Sequence, residues 1–259
     1  MPQDFWGRII MIMSRYGASF ARGMSLTIVI ALIGTFFGCV IGLALGIIQT
    51  IPELKGHKYH NGFLKAAKFV IAAYMEIFRG TPMMVQAMFI YYGAAVLFGI
   101  HMTTMFAALF IVSINTGAYM IETVRGGIQS IDPGQVEGAK AIGMTHTQAM
   151  LYVILPQAIR DIMPQIGNNL IINIKDTSVL NVIGVVELFY TTNTVAGAYY
   201  TYFEAFSIAM VLYFVMTFSC SRILRVLERR MDGPQNYTIA DKEQIRQAVG
   251  VEQIAAGER

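Results

Sequence analysis

An all-α integral membrane protein with five membrane-spanning helices is the fold this sequence predicts, on three observations. Of 259 residues, 55% are hydrophobic and 14% charged, where a soluble domain carries about a quarter charged. Residues 23–51 contain no Lys, Arg, Asp or Glu, and neither do residues 80–121, where His101 is the one titratable group apart from tyrosines. Each run exceeds the roughly 20 apolar residues that a helix needs to cross the hydrocarbon core, whereas a buried helix of a soluble core is usually shorter and capped. Finally, connections rich in Lys and Arg alternate with connections that have none, as the positive-inside rule requires.

At the N-terminus, Arg8, Arg15 and Arg22 are spaced seven apart among Phe5, Trp6, Ile9, Ile10, Ile12 and Met13. That spacing puts the arginines near one helical face, as in a helix lying in the membrane interface; an irregular leader is the alternative. Arg8 and Arg15 interrupt any apolar core and no small-residue cleavage pattern follows, so residues 1–22 are expected to be a retained interfacial segment and not a signal peptide. The membrane domain is expected over residues 23–230, with its first span at 25–49. In that span Gly34, Gly38, Gly42 and Gly46 recur at every fourth residue, the small-xxx-small spacing that lets two membrane helices approach closely. The partner helix is not identified by this pattern.

Residues 52–68 form a polar connection carrying Lys55, Lys58, Lys65 and Lys68, and residues 69–78 are apolar except for Glu76. Glu76 and Arg79, spaced i, i+3, are expected to pair near the cytoplasmic interface. In Arg79-Gly80-Thr81-Pro82, Thr81 suits an N-cap and Pro82 the first helical position, so the second span is predicted over 82–98. The third covers 104–123, the fourth 166–191 with an interruption at Lys175-Asp176, and the fifth 206–223; a charged cytoplasmic tail follows at 231–259. The central region holds Arg125, Lys140 and Arg160, and Arg222, Arg225, Arg229 and Arg230 follow the last span, whereas 92–103 and 192–203 hold no positive charge. This places the N-terminus outside and the C-terminus in the cytoplasm; the N-terminal arginines fit if their helix lies on the outer surface. Cys39 and Cys220 both fall in apolar runs and read as packing residues, with no disulfide or metal pattern.

The central region, 132–156, is too structured for a plain loop. Asp132-Pro133-Gly134-Gln135 starts a helix: Asp as cap, Pro at the first position, Gln three residues after the cap. The predicted helix, 133–142, presents Val136, Ala139 and Ile142 on one side, and Gly143 is placed to end it. Thr145-His146-Thr147-Gln148 has the form of a second capping box, opening a helix that Pro156 interrupts. Two short capped helices with a glycine hinge make either a rigid cytoplasmic protrusion or a linker lying on the membrane.

Glu137-Gly138-Ala139, Gly143 and Ile154-Leu155-Pro156 together resemble the EAA loop of ABC-importer permeases. Arg79-Gly80-Thr81-Pro82 with Val85-Gln86, Arg125-Gly126-Gly127-Ile128, Lys175-Asp176-Thr177-Ser178 and Val182 to Leu188 are similar to the polar amino-acid (histidine/glutamine/arginine-type) branch. The resemblance implies the five-helix type I importer core, a permease homodimer or a heterodimer with a paralogue, two copies of a cytoplasmic ATPase subunit, and an extracytoplasmic amino-acid-binding protein. It also implies residence in a bacterial cytoplasmic membrane. Carried over, Glu137, Gly138, Ala139 and Gly143 would meet the ATPase; Gly138 stands where the family usually has Ala, at a helix-propensity cost of up to about 1 kcal/mol.

Charged and polar residues within spans are costly and mark function by default. An amino acid brings a carboxylate and an ammonium, so a pathway needs donors and at least one acid; Asn115, Thr116, Tyr119, Lys175, Asp176, Ser178 and Glu187 supply them. The family pattern near the middle of the third helix is Ser-Ala-Tyr, and Asn115-Thr116-Gly117-Ala118-Tyr119 matches its Ala-Tyr part. Pairing of Lys175 and Asp176 with helix neighbours or with a partner subunit is the alternative to a transport role. No G-x-x-x-x-G-K-[ST] occurs, so ATP hydrolysis is assigned to another chain. No metal, cofactor or nucleic-acid partner is expected. An ion-coupled secondary transporter, the other transport class, would require paired repeats of discontinuous helices; a membrane scaffold or sensor would use the tail after Arg230 as its output.

Overall fold

The computed structural model describes residues 4–52 and 58–231, so the expected tail at 231–259, apart from Met231, and Lys55 lie outside the described residues. The packed core belongs to the unit Met1–Leu224, and the last turns of the final helix fall in a second unit that begins at Arg225. Every regular element among the described residues is helical: α1 (Phe5–Thr50), α2 (Lys58–Gly80), α3 (Met83–Phe98), α4 (Thr104–Gln129), α5 (Pro133–Ala141), α6 (His146–Ala149), α7 (Leu155–Asp176), α8 (Leu188–Tyr199) and α9 (Tyr202–Met231). Three helices are long and apolar enough to cross a membrane alone; two bent pairs bring the number to as many as five.

α1 is capped by Asp4, whose carboxylate accepts from the Gly7 amide at 2.7 Å, and continues unbroken for 46 residues. At about 1.5 Å per residue this is about 70 Å, more than twice the ~30 Å of a hydrocarbon core. The expected boundary between an interfacial segment and a span at residue 22 is therefore no break in the helix. Gly23 stays helical there, and its lack of a side chain lets α1 lie on the start of α8: a Cβ would stand 2.9 Å from Leu188 Cα.

The glycine stripe of α1 packs against α4 of the same chain. Gly34 faces Val112, Gly38 faces Thr116, Gly42 faces Met120 and Gly46 faces Val124; a Cβ on each would come within 2.4, 2.6, 2.3 and 2.8 Å of the facing side chain. Both helices repeat at four residues along the seam, so one register satisfies all four contacts.

Two spans are discontinuous. α2 and α3 meet at 113°, because Pro82 has no amide hydrogen to continue a helix and biases Thr81 away from helical backbone. Thr81 is not the cap that the sequence suggested: α2 runs to Gly80, the Thr81 hydroxyl donates back to the Ile77 carbonyl at 2.7 Å, and Pro82 itself occupies the N-cap of α3. The polar connection is also shorter than expected, since α2 already starts at Lys58. The second break follows Asp176, where a 3₁₀ turn (Thr177–Ile183) ends at Gly184, with φ of 80°, and α8 departs at 55°. Residues 192–203, expected as an empty connection, are thus mostly helix.

Pro156 does not interrupt its helix. A π-helical segment (Met150–Ile154) precedes it, the Leu155 amide bonds to the Met150 carbonyl, and Pro156 sits in the first turn of α7. The wider turn absorbs the missing donor without a change of direction. α4 extends past its predicted end to Gln129, and α9 runs well beyond 206–223 in both directions, because hydropathy marks the apolar stretch while the backbone bonds continue past it.

Candidate functional site

A polar cleft of about 470 Å³ opens where the end of α2 and start of α3 approach α4 and α7. Its wall includes Arg79, Thr81, Asn115, Thr116, Tyr119, Asn169, Asn173 and Asp176. The bend at Pro82 creates this space, and Gln86 holds the bend: its amide nitrogen donates to the carbonyls of Phe78 and Thr81 and to the Thr81 hydroxyl, each at 2.9 Å. Those carbonyls are orphans of the α2 C-terminus, unaffordable in an apolar surround unless bonded. The Gln86 oxygen then accepts from Asn115 at 2.9 Å, which orients a residue of the cleft wall.

A second bonded chain crosses the back of the cleft. Asn173 of α7 donates to Thr35 of α1 at 2.8 Å and to Thr116 of α4 at 2.9 Å, all three side chains being buried. Asn169, one turn earlier, donates to the Gln165 carbonyl at 3.0 Å. Tyr119 stands at the mouth, 42% exposed, with the Arg79 guanidinium 5.6 Å from its ring centroid. Arg79 is ion-paired with Glu122 on α4, and Arg125 lies 3.8 Å from the same carboxylate. The expected Arg79–Glu76 pair is thus replaced by one across helices, since the bend turns the last residues of α2 toward α4.

Four of the seven residues expected along a pathway line this cleft: Asn115, Thr116, Tyr119 and Asp176. Lys175 and Ser178 do not, Lys175 being exposed outside it and Ser178 half-buried in the 3₁₀ turn. Among the described residues neither Lys175 nor Asp176 forms an ion pair within 4 Å. Glu187 also lies outside the cleft. Its side chain is fully buried away from the cleft and accepts from the Tyr190 amide at 2.8 Å, from the Tyr213 hydroxyl at 2.9 Å and from Thr27 at 3.2 Å. It caps α8 and ties it to α1 and α9.

The helix α5 carries the other group of expected residues. Asp132 caps it by accepting from the Gly134 amide at 2.7 Å. At its end the Gly143 amide bonds to Lys140 and the Met144 amide to Ala139, a Schellman closure that needs the left-handed Gly143, φ 84°. The capping box of Thr145 and Gln148 starts α6. Glu137, Gly138 and Gly143 are exposed. Ala139 is buried and Val136 packs on Ile154 and its neighbours, so the expected outward face of Val136, Ala139 and Ile142 is corrected to Ile142 alone. The apolar side turned inward to anchor the helix.

Residues 58–233 match the family model described as binding-protein-dependent transport system inner membrane component. The chain belongs to that family. This permease is 38% identical over 211 residues to the glutamine transport system permease protein GlnP of Escherichia coli (strain K12), covering 81% of this chain and 91% of the relative. It is 32% identical over 210 residues to the arginine transport system permease protein ArtQ of Bacillus subtilis (strain 168), with the same coverage. Its fold matches the crystal structure of an amino acid ABC transporter with histidines at a TM-score of 0.76 and 35% identity, covering 89% of this chain and 100% of that one. An inward-facing MetNI methionine ABC transporter matches at a TM-score of 0.66 and 19% identity, over 82% and 95% of the two chains, a likeness of fold. The permease is the membrane component of an ABC importer and not its ATP-hydrolysing chain.

Thr35, Asn169 and Asn173 of this permease stand outside the motifs and candidate residues of the sequence, and Gln86 belongs to a motif alone. A signal was present for two of them: Asn169 and Asn173 are spaced i, i+4 in the apolar part of α7 and so share one face.

Proposed function

We propose that this permease carries a polar amino acid across a bacterial cytoplasmic membrane, receiving it from an external binding protein and driven by two copies of a cytoplasmic ATPase subunit. The observation that carries this reading is the cleft itself: amide, hydroxyl and carboxylate groups of Asn115, Thr116 and Asp176 gathered beside Arg79 in an otherwise apolar bundle. Such a surface suits a zwitterion, with Asp176 for the ammonium and amide or guanidinium donors for the carboxylate. The names of relatives that act on glutamine and arginine support the substrate class. The Lys and Arg distribution supports a cytoplasmic C-terminus and an outer N-terminus.

In this reading the exposed Glu137, Gly138 and Gly143 dock on the ATPase, with buried Ala139 fixing α5 to the bundle from beneath. The permease works as a dimer, of two copies or of one copy and a paralogue, and ATP-driven closure of the ATPases moves α5 and reorients the cleft. The test is ATP-dependent uptake of radiolabelled L-glutamine and L-arginine in proteoliposomes holding the permease, its ATPase and its binding protein. Glu137→Lys is expected to lower uptake by more than about ten-fold, since loss of a docked charge is worth about 2–5 kcal/mol, and Gly143→Val to lower it too, because a β-branched residue strains the φ of 84° that closes α5, with membrane insertion unchanged in both. If ATPase co-purification and uptake both survive these changes, the docking assignment is wrong.

A further inference from the structure

A second cleft, of about 440 Å³, lies beside the first and is lined by Glu76, Arg79, Gly80, Glu122 and Arg125 among others. Arg79 and Gly80 are the residues common to the two clefts. Arg79 therefore stands in the partition between them, held by its ion pair to Glu122 and by the Tyr119 ring. Gly80 adds no side chain to that partition, and a Cβ there would meet nothing within 4 Å. The one side chain that borders both clefts is thus the Arg79 guanidinium.

Glu122 has a choice of cations. Arg125 is already within 3.8 Å of its carboxylate. Moreover, the Arg125 Nε is buried with no hydrogen-bond partner among the described residues, and an unmet guanidinium donor favours an approaching carboxylate. The Arg79–Glu122 pair is about 40% exposed on both sides, so it contributes little net stability and is easily exchanged. A barrier that must open in each cycle requires a closure of this weak kind.

We propose that the Arg79–Glu122 ion pair is a substrate-operated latch between the two clefts. This rests on the transport reading above. A carboxylate entering the first cleft takes Arg79 from Glu122, Glu122 transfers to Arg125, and the guanidinium leaves the partition carrying the ligand's acid group with it. No charge is left unpaired: Arg79 exchanges Glu122 for the ligand's carboxylate, and Glu122 closes onto Arg125, already 3.8 Å away. Asp176, which also lines the first cleft, is left for the ammonium end.

Two measurements on the complete complex in proteoliposomes test the latch: ATP-driven uptake, and ATP-independent efflux of preloaded L-glutamine. Glu122→Gln removes the latch partner and is expected to raise efflux about five-fold, the effect of losing an exposed ion pair. Glu122→Asp, which keeps the charge, is expected to stay tight, which separates latch loss from misassembly. The swap Arg79→Glu with Glu122→Arg is expected to restore tightness but not uptake, because the carboxylate anchor is gone from the first cleft. Wild-type uptake carries the transport reading itself, and its absence would sink both. With wild-type uptake intact, an Glu122→Gln complex as tight as wild type, or a charge swap that transports normally, overturns the latch alone.

Discussion

Along α1, the helix α4 meets four glycines at close approach; toward the junction of α2 and α3 it meets amides, hydroxyls and charges that border open clefts. The two faces alternate on the same residues, so that Thr116 touches Gly38 with its carbon atoms and bonds Asn173 with its hydroxyl. In a bilayer, where lipid tails are as apolar as leucine, close packing of small residues is what makes a helix pair rigid. Polar groups on the other face are held by mutual hydrogen bonds that can be exchanged. The contrast teaches how one helix serves as a fixed post on one face and as the wall of a polar cleft on the other.

The sharpest way to break that comparison is Gly42→Leu. A Cβ at Gly42 would already lie 2.3 Å from Met120 Cβ, and a full leucine in a packed seam is expected to cost about 3 kcal/mol. The measurement is the yield of monodisperse protein and its melting temperature in lipid nanodiscs; an unchanged melting temperature would mean that α1 and α4 are not in contact. Asn173→Leu comes next, because Asn173 is where the two faces join. It loses its bonds to Thr35 and Thr116, with an expected cost of about 1–2 kcal/mol. A fall in uptake with no change in melting temperature would reassign Asn173 from holding the seam to contacting the ligand. The smallest effect is expected from Gly93→Ala in α3, where a Cβ meets nothing within 4 Å; the gain in helix propensity is expected to raise stability by about 0.5–1 kcal/mol. If Gly93→Ala and Gly42→Ala proved equal, close approach would not be what distinguishes the two faces.

Local signals were legible in the sequence. The helix caps at Asp132 and Thr145, the Gly143 closure and the break after Asp176 all depend on residues a few positions apart, and the structure has each of them. Four residues of the cleft were legible as polar groups in apolar runs. Illegible was which polar groups serve packing: Glu187 looks like a pathway acid until Thr27 and Tyr213, from distant helices, are seen to bond it. Arg79 was matched to its neighbour in sequence, Glu76, whereas the bend at Pro82 delivers it to Glu122. Thr81 was misplaced as a cap because a cap motif cannot reveal that the preceding helix already claims its backbone.

Hydrophobic length and charge grouping, properties of the chain taken in order, determined by themselves that the protein lies in a membrane and that its middle segment forms capped helices. The glycine period determined that α1 would have a tight neighbour. That the neighbour is α4, in the register that sets Gly38 on Thr116 and turns its hydroxyl to Asn173, was decided by tertiary structure alone. Helix–helix register depends on interlocking surfaces of segments 78 residues apart, and no pattern within either segment encodes it.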